Sequence, residues 1–238
     1  MLEREVMIME QPRILIVDDE RDLCTLIQKA LEKEGFREIR TAHTIRDGLE
    51  AFNAFAPHLA ILDVMLPDGE GYELCRQIRN TSNIPILFLS AKSDEVDKIL
   101  GLAIGGDDYI TKPFSPKEVA FRVKAQLRRV SLYDAPELPN DTVVGPFRLN
   151  ADGTEVDRDG VRLELTAKEV GLLACFMRNP NRILSKETLF TQVWGEDFYG
   201  ADNTVMVHMR RLREKIEPNP SQPTYIKTVK GLGYKFEA

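Results

Sequence analysis

The sequence predicts a doubly wound α/β domain with a five-stranded parallel sheet, followed by a smaller α+β domain of the winged helix-turn-helix type. In the first half, short and continuously apolar runs alternate with segments of helical periodicity, as in parallel strands covered by helices on both faces. In the second half, a basic helix precedes two short strands around a glycine-rich turn. The 238 residues allow two domains of roughly 100–130 residues each.

Composition is that of an ordinary globular protein, with 43% hydrophobic and 29% charged residues. No apolar stretch reaches the roughly 18–20 residues of a membrane-spanning helix, and the start of the chain does not resemble a secretory signal. We therefore expect a cytoplasmic protein without a membrane partner, whose residues 1–12 form an extension with no assignable role. Cys24, Cys75 and Cys175 lie among apolar neighbours and are expected to be buried rather than paired or bound to zinc.

Charge is distributed unevenly along the chain, whose net charge is −6. Up to Asp141 there are 18 basic and 25 acidic residues, whereas the remainder has 14 basic and 13 acidic ones. Residues 203–238 carry 7 basic against 3 acidic side chains. An acidic first half and a locally basic end predict two different kinds of partner.

The elements of the first domain follow from the apolar pattern. Strands are predicted at residues 13–17, 38–42, 58–62, 84–89 and 107–111. Helices lie between them, and three are well marked: 22–34, 94–104 and one that begins after Ser115 and runs to residue 129. In the helix at 22–34, the residues expected to share one apolar face are Leu23, Leu26, Ile27, Ala30 and Leu31.

Polar side chains end the predicted strands. Asp18 and Asp19 follow the first strand, Asp63 follows the third, Ser90 the fourth, and Lys112 the fifth. The carboxyl ends of parallel strands meet at one edge, where such folds bind ligands. Each residue alone is also common in a turn or cap, and Asp63 alone could be a solvated strand end, a metal ligand or a nucleophile. Clustered carboxylates without His or Cys favour Mg²⁺, which relieves their mutual repulsion.

Four motifs in this half resemble the receiver domain of bacterial two-component response regulators: ILIVDDE, AILDVMLPDGEGYELC, FLSAK and GGDDYITKPFSPKE, over residues 13–129. The resemblance implies that Asp63 accepts a phosphoryl group from a sensor kinase histidine. It implies that Mg²⁺ is held by Asp18, Asp19, Asp63 and the carbonyl of Met65. It further implies that Lys112 and Ser90 bind the phosphoryl oxygens. It also implies that Tyr109 turns inward when the receiver switches to its phosphorylated state. A carboxylate can form such an acyl phosphate, given in-line positioning and charge neutralisation.

The second domain follows a polar stretch with two prolines, which predicts a linker at residues 131–142. Short strands are predicted within VVGPFRLN, TEVDRD and VRLEL, then a helix opened by a capping box from Thr166 to Glu169, and a second helix from a cap at Ser185 to Trp194. The third helix, residues 203–216, has its core stripe at Val205, Met209, Leu212 and Ile216. Its opposite side is rich in arginine with few acids, although a merely solvated face is the commoner reason for such a pattern.

LTAKEVGLL, VWG, VHMRRLREKIEP and IKTVKGLGYKF make residues 143–238 similar to the effector domain of the OmpR/PhoB subfamily. The resemblance implies a protein that binds double-stranded DNA with residues 203–216 in the major groove and a wing near the minor groove. The implied contacts are Asn203, Met206, His208, Arg210, Arg211, Arg213, Trp194, Thr228, Lys230 and Tyr234. Met206 stands where many relatives have Asp, and we hypothesise an apolar contact to a thymine methyl. Gly106 stands where relatives commonly have Ala, a change expected to have no consequence. The loop at 195–202 matches a segment that touches RNA polymerase in some relatives.

Relatives also dimerise through the fourth helix, fifth strand and fifth helix, and two ion pairs between protomers match this chain: Lys98 with Glu118, and Asp108 with Arg122. The implied mechanism is a population shift in which phosphorylation favours a homodimer that reads two DNA half-sites. The expected division is an extension at 1–12, a receiver at 13–130, a linker at 131–142 and a DNA-binding domain at 143–238.

Two other functions remain open at this point. One is a metal-dependent phosphohydrolase with an aspartyl nucleophile, although DVMLP offers no second acid within two residues of Asp63 to serve a leaving group. The other is a constitutive DNA binder with a vestigial receiver. The expectation is a transcription regulator that is not a turnover enzyme.

Overall fold

The computed structural model describes residues 11–91, 95–131, 141–195 and 202–238, without the side chains at positions 95, 96, 98, 128–131 and 202. Strands of the first domain are β1 (Arg13–Val17), β2 (Glu38–Ala42), β3 (Leu59–Asp63), β4 (Met65–Leu66), β5 (Gly69–Glu70), β6 (Ile86–Ser90) and β7 (Asp108–Thr111). Its helices are α1 (Arg21–Lys33), α2 (Ile45–Phe55), α3 (Gly71–Arg79), α4 (Glu95–Ile104) and α5 (Pro116–Ser131). In the described part of the chain, no helix is both long and apolar enough to cross a membrane.

The predicted five-stranded parallel sheet is confirmed, with strand order β2-β1-β3-β6-β7. Successive residues of β1 alternate between the two faces because the side-chain period of a strand is two. Ile14 and Ile16 pack on α1 and α5, whereas Leu15 and Val17 pack against α2 and α3. Both faces of the strand are therefore buried, which explains why its sequence is apolar without interruption.

Helix α1 departs from the predicted apolar stripe at one position. Ile27 and Leu31 are fully buried, as is Cys24, which the stripe did not include. Leu26 is 52% exposed, so its assignment to the buried face was wrong. The stripe is narrower than the sequence suggested because a helix on a flat sheet buries only the residues that point directly at it. All three cysteines are buried and free, as predicted.

The second domain contains two small sheets and three helices among its described residues. Its strands are β8 (Thr142–Val144), β9 (Phe147–Leu149), β10 (Val156–Arg158), β11 (Val161–Arg162), β12 (Ile183–Leu184), β13 (Ile226–Val229) and β14 (Gly233–Phe236). Its helices are α6 (Ala167–Met177), α7 (Lys186–Trp194) and α8 (Asp202–Ile216). Strands β8 to β11 form an antiparallel sheet, and β12, β14 and β13 form the other, which includes the wing.

Local signals in this domain mostly predicted the right structure. Ser185 caps α7 by accepting from the N–H of Thr188 at 3.0 Å, and Glu169 accepts from the N–H of Thr166 at 2.8 Å. The segment VVGPFRLN is two strands rather than one, because Gly145 adopts a positive φ of 57° and turns the chain. All four residues of the predicted core stripe of α8 are buried in one cluster with the two sheets and the other helices.

Candidate functional site

Four of the strand-end side chains meet at the carboxyl edge of the parallel sheet. Asp18 follows β1, Asp63 ends β3, Ser90 ends β6 and Lys112 follows β7. The chain places β2 and β3 on opposite sides of β1, so these ends flank the point where strand order reverses. Asp18 and Ser90 are fully buried, and Asp63 is 4% exposed. Asp63 is therefore not a solvated strand end.

Lys112 is the centre of this cluster. Its Nζ donates to Asp63 Oδ2 at 2.8 Å, to Asp18 Oδ2 at 3.1 Å and to Glu20 Oε1 at 3.0 Å. One ammonium group thus lies against three carboxylates. The cluster keeps a surplus of negative charge. Asp18 and Asp63 are shielded from water, whereas the Glu20 side chain is 61% exposed.

The electrostatics of the cluster follow from this arrangement. Burial, together with the charge of Asp63, raises the pKa of the Asp18 carboxyl to about 6, although the N–H of Glu20 and Lys112 oppose the shift. Burial alone would lower the pKa of Lys112, but its hydrogen bonds to Asp63 and Glu20 and the nearby negative charges raise it above its ordinary value. Any further cation that enters the site relieves carboxylate repulsion.

The donor set suits a divalent metal ion. One carboxylate oxygen each of Asp18, Glu20 and Asp63 lie within 4.8 Å of one another, and oxygen ligands without His or Cys are those that Mg²⁺ prefers. Asp19 is exposed and outside this group, whereas Glu20 was not among the predicted ligands. Glu20 is the third acid of the run DDE, and that adjacency was the available signal. The part that each residue plays in metal binding stays a prediction.

The loop after Asp63 holds the carboxylate in place. The N–H of Met65 donates to Asp63 Oδ1 at 3.2 Å, and β4 pairs with β5 to fold the loop back. The N–H of Gly71 donates to Val64 O at 2.9 Å at the start of α3. A Cβ at Gly71 would overlap the main-chain carbonyl of Asp63, so only glycine permits this approach.

An aromatic cluster connects this edge of the sheet with α4. The Tyr109 ring on β7 lies 6.3 Å from that of Phe88, which packs edge-on against Tyr72 at 5.1 Å. The Tyr72 hydroxyl donates to Asp97 O on α4 at 3.3 Å. Gly101 makes room for both tyrosines, because a Cβ there would lie 3.1 Å from the Tyr109 ring. The sequence singled out Tyr109 but not Tyr72, which was read only as part of the helix after the loop.

Residues predicted to contact DNA fall into two groups, and the first faces solvent or supports the wing. Exposed members are Met206, Arg210, Thr228 and Lys230. Arg213 instead fastens α8 to the wing, since its guanidinium donates to Ile226 O at 2.6 Å and to Thr228 Oγ1 at 2.9 Å. It also lies 5.5 Å from the centre of the buried Tyr234 ring. Asn203 is partly exposed at the start of α8.

The second group, Trp194, His208 and Arg211, lies against the first domain. The Trp194 indole donates to Asp107 O at 3.2 Å, and Arg211 Nη1 lies 3.4 Å from Leu102 O, at the end of α4. Trp194 is 2% exposed and His208 is fully buried. Helix α8 therefore packs on α4, and these three side chains can reach DNA only if the two domains separate.

Gly106 belongs to the same contact, and the expectation that it is inconsequential was wrong. Its carbonyl lies 3.5 Å from Arg211 Nη1. A Cβ at this position would lie 2.8 Å from the Phe88 ring, so alanine would displace the aromatic cluster. This consequence is not visible in the sequence, because the neighbour that decides it, Phe88, lies on β6.

The two ion pairs predicted between protomers stay predictions. Arg122 contacts Asp108 at 3.1 Å and Glu118 at 3.2 Å within one chain. The side chain of Lys98 lies outside the described residues, as do most of the loop at 195–202 and of the linker at 131–142.

Comparison with known proteins agrees with both halves of the fold. Residues 14–124 match the family model of the response regulator receiver domain, and residues 160–236 match that of the C-terminal domain of transcriptional regulatory proteins. The transcriptional regulatory protein YvrH of Bacillus subtilis is 44% identical over 230 residues, which are 96% of this chain and 96% of YvrH. The alkaline phosphatase synthesis transcriptional regulatory protein PhoP of the same organism is 44% identical over 232 residues, 94% of this chain and 96% of PhoP.

A solved structure extends the comparison. The response regulator DrrB, a Thermotoga maritima OmpR/PhoB homologue, is 33% identical, with 96% of this chain and 100% of DrrB covered and a TM-score of 0.50. The chain belongs to the OmpR/PhoB subfamily of response regulators. As a member of it, the protein is a transcription regulator with a receiver and a DNA-binding domain, and its relatives are regulators rather than turnover enzymes.

Proposed function

We propose that phosphorylation of Asp63 by the histidine of a sensor kinase switches this response regulator from a closed monomer to a homodimer that binds DNA half-sites. In the closed form, α8 packs on α4 of the receiver. The observation that carries the proposal is the contact of Lys112 with Asp63, at 2.8 Å, in a buried acidic cluster at the sheet edge. A nucleophilic carboxylate with a fixed cation beside it is what phosphoryl transfer to an aspartate needs.

In the transfer step, an Oδ atom of Asp63 forms a bond to phosphorus while the bond from phosphorus to the kinase imidazole nitrogen breaks. The electron pair of that bond stays on the imidazole, which takes up a proton from solvent. Lys112 orients Asp63 and places its own positive charge beside the incoming phosphoryl oxygens. The hydroxyl of Ser90, at the end of β6, is available to the same oxygens. Mg²⁺, held by the carboxylate oxygens of Asp18, Asp63 and Glu20 or Asp19 with the carbonyl of Met65, would neutralise the charge of these oxygens.

The signal leaves the site through the aromatic cluster and α4. Lys112 has three carboxylate partners before transfer and must give up at least part of these contacts to bind a phosphoryl group. Ser90 and Tyr109 lie on adjacent strands, and the Tyr109 ring rests on Gly101 of α4. A change at the strand ends therefore reaches the helix on which α8 packs.

DNA binding requires release of α8. The exposed side chains of Met206 and Arg210, together with Lys230 on the wing, are available to bases and phosphates in either state, whereas Arg211, His208 and Trp194 become available only after the domains separate. A closed state that covers His208 and Arg211 of α8 favours a regulated DNA binder over a constitutive one. The loop at 195–202 is the proposed contact to RNA polymerase.

The proposed dimer uses the face that includes α4, β7 and α5. Asp108 and Arg122 pair within one chain at 3.1 Å, and in the proposed dimer the same side chains pair between protomers instead. Part of this face, the end of α4, is covered by α8 in the closed form. Closed and dimeric forms thus compete for it.

DNA-fragment selection with the protein treated with acetyl phosphate and Mg²⁺ tests the proposal, with Asp63→Asn as the control. We expect the wild type to enrich fragments with two half-sites about one helical turn apart, and Asp63→Asn to enrich them at least tenfold less. Equal enrichment by both proteins would identify a constitutive binder. Sustained release of phosphate from phosphomonoesters by the wild type would instead indicate a hydrolase.

The same selection with Met206→Asp tests the proposed contact to a thymine methyl. The substitution is expected to change the preferred base at one position of each half-site. An unchanged sequence preference would contradict that contact while leaving the phosphorylation switch intact.

A further inference from the structure

His208 is a buried histidine at the contact between the two domains. It lies on α8, is fully buried, and neither of its ring nitrogens has a hydrogen-bond partner among the residues that the structure describes. Its ring lies edge-on to Trp194 at 5.1 Å, and the main chain of Asp107 of the receiver faces it. Burial of a polar ring without a hydrogen-bond partner costs free energy, so the position of His208 requires a physical explanation.

The charges around His208 come from four elements, and most of them are positive. Arg79 of α3 pairs with Asp107 at 2.8 Å, and Arg211 lies one turn further along α8. Lys168 of α6 is buried with its Nζ 4.9 Å from the centre of the Trp194 ring and donates to Val193 O.

The nearby carboxylates are already paired with other cations, although Asp107 Oδ1 and Glu169 Oε1 have no hydrogen-bond partner among the described residues. Glu169 contacts Arg211 at 3.5 Å and Lys215 at 2.7 Å, and Asp107 receives Arg79 and the N–H of Ile86. A proton on His208 would therefore add to a surplus of positive charge in a site without water contact.

Burial first, and then the charges of Arg211 and Lys168, hold the pKa of His208 well below its ordinary value of about 6.5 in the closed form. Trp194 and Arg211 bind main-chain carbonyls of the receiver beside the histidine, so parting the domains takes the ring away from Asp107 and Arg79 and admits water to it.

We propose that His208 is a proton-sensitive latch: α8 stays on the receiver only while the ring is neutral, and uptake of one proton releases it without phosphorylation. The latch is a second input to the same domain contact that Asp63 is proposed to control. The latch depends on the proposed function only for its expected effect on DNA binding.

The direction of the pH dependence follows from linkage. Because the pKa is lower in the closed form than in the open form, closure is fully favoured above about pH 6.5 and weakens as the pH falls below it. The ratio of closed to open molecules is expected to drop about tenfold between pH 7.5 and pH 5.5. The ratio stops falling once the pH is below the lowered pKa of His208 in the closed form.

Trp194 allows a direct test, because it is the only tryptophan in the chain and lies in the contact itself. Acrylamide quenching of its fluorescence is measured on the full-length, unphosphorylated protein from pH 7.5 to pH 5.5. We expect quenching to increase as the pH falls in the wild type and to stay constant in His208→Phe, which keeps an aromatic ring without a titrating group. His208→Gln provides a second, smaller neutral side chain in case phenylalanine does not fit.

Each outcome decides the proposal. A wild type whose quenching does not change overturns it. A pH response that persists in both variants also overturns it, since a group other than His208 would then be the titrating one. Asp107 would give the opposite sign, because burial raises its pKa and protonation would favour the closed form. His58→Asn serves as the matched control and should titrate as the wild type does, because His58 lies in the receiver beside Arg13.

A DNA measurement separates the latch from the proposed function. If the latch opens α8, unphosphorylated wild type should bind a selected fragment up to tenfold more tightly at pH 5.5 than at pH 7.5. Increased quenching without increased DNA binding would support the latch and count against the proposed role of α8.

Discussion

The two buried charge clusters of this protein have opposite composition. At the sheet edge, three carboxylates surround one ammonium group, that of Lys112. At the domain contact, the cations Arg79, Lys168 and Arg211 outnumber the carboxylates that face His208. The first cluster attracts a further cation, whereas the second repels a proton. In each cluster, binding of a single ion or proton changes the electrostatic free energy.

The two clusters also differ in how readily the sequence reveals them. Every member of the first comes from a strand end or the residues next to it, and parallel strands bring their ends together by topology alone. The second combines α3, the turn before β7, α6 and α8, and it exists only because two domains pack on one another. Charge on either domain alone does not reveal it.

Removal of the single cation from the acidic cluster should have the largest effect. We expect Lys112→Ala to lose nearly all of the increase in DNA affinity that acetyl phosphate and Mg²⁺ produce in the wild type, because Asp63 and its phosphoryl group would lack the counter-charge. Filter binding to a selected fragment measures this increase.

Lys33→Ala is the matched control, since Lys33 is an exposed lysine at the end of α1, outside the face proposed for the dimer. It should respond to phosphorylation as the wild type does. A Lys112→Ala protein that retained a tenfold response would show that the contact seen at 2.8 Å is not needed for switching.

A backbone change beside Asp63 should come next in size. Gly71→Ala forces a methyl group onto the carbonyl of Asp63, and overpacking against main chain costs about 1–3 kcal/mol or more of unfolding free energy. Urea unfolding of the receiver transition measures the loss.

Gly171→Ala is a matched substitution inside α6, where the added methyl would meet only the Val193 side chain at 3.2 Å. Alanine is favoured over glycine in a helix by about 1 kcal/mol, so this variant should be neutral or slightly more stable. Equal destabilisation by the two substitutions would mean that the close approach at Gly71 relaxes easily.

The sequence was sufficient for the fold and for the expectation that Asp18, Asp63, Ser90 and Lys112 lie at one edge of the sheet, for physical reasons that particular residues illustrate. Continuous apolar runs such as residues 13–17 identify strands buried on both faces, and Asp63 ends one of them. Glu20 was missed because its place in the cluster depends on the reach of the Lys112 side chain. Trp194 and His208 were predicted to face DNA, but the structure places them on the receiver, because one sequence cannot tell which partner covers a surface that two partners can use.

The smallest predicted effect distinguishes two adjacent arginines of α8. Arg211 holds the domain contact through Leu102 O at 3.4 Å and Gly106 O at 3.5 Å, whereas the side chain of Arg210 is 82% exposed and pairs with Glu214 at 3.0 Å. The contacts of Arg211 are long, so its replacement by alanine should shift the closed-to-open ratio only about two- to tenfold, which corresponds to roughly 0.5–1.5 kcal/mol.

Acrylamide quenching of Trp194 in the unphosphorylated protein measures that shift, and Arg210→Ala should leave it unchanged. Both substitutions remove one positive charge from the same helix, so both should weaken DNA binding by the phosphorylated form and flatten its salt dependence. The pair therefore separates the two roles of α8: only Arg211→Ala should open the closed form, while either change should weaken the open form on DNA. If Arg210→Ala raised quenching as much as Arg211→Ala, the domains would be held by the overall charge of α8 and not by the contacts around His208.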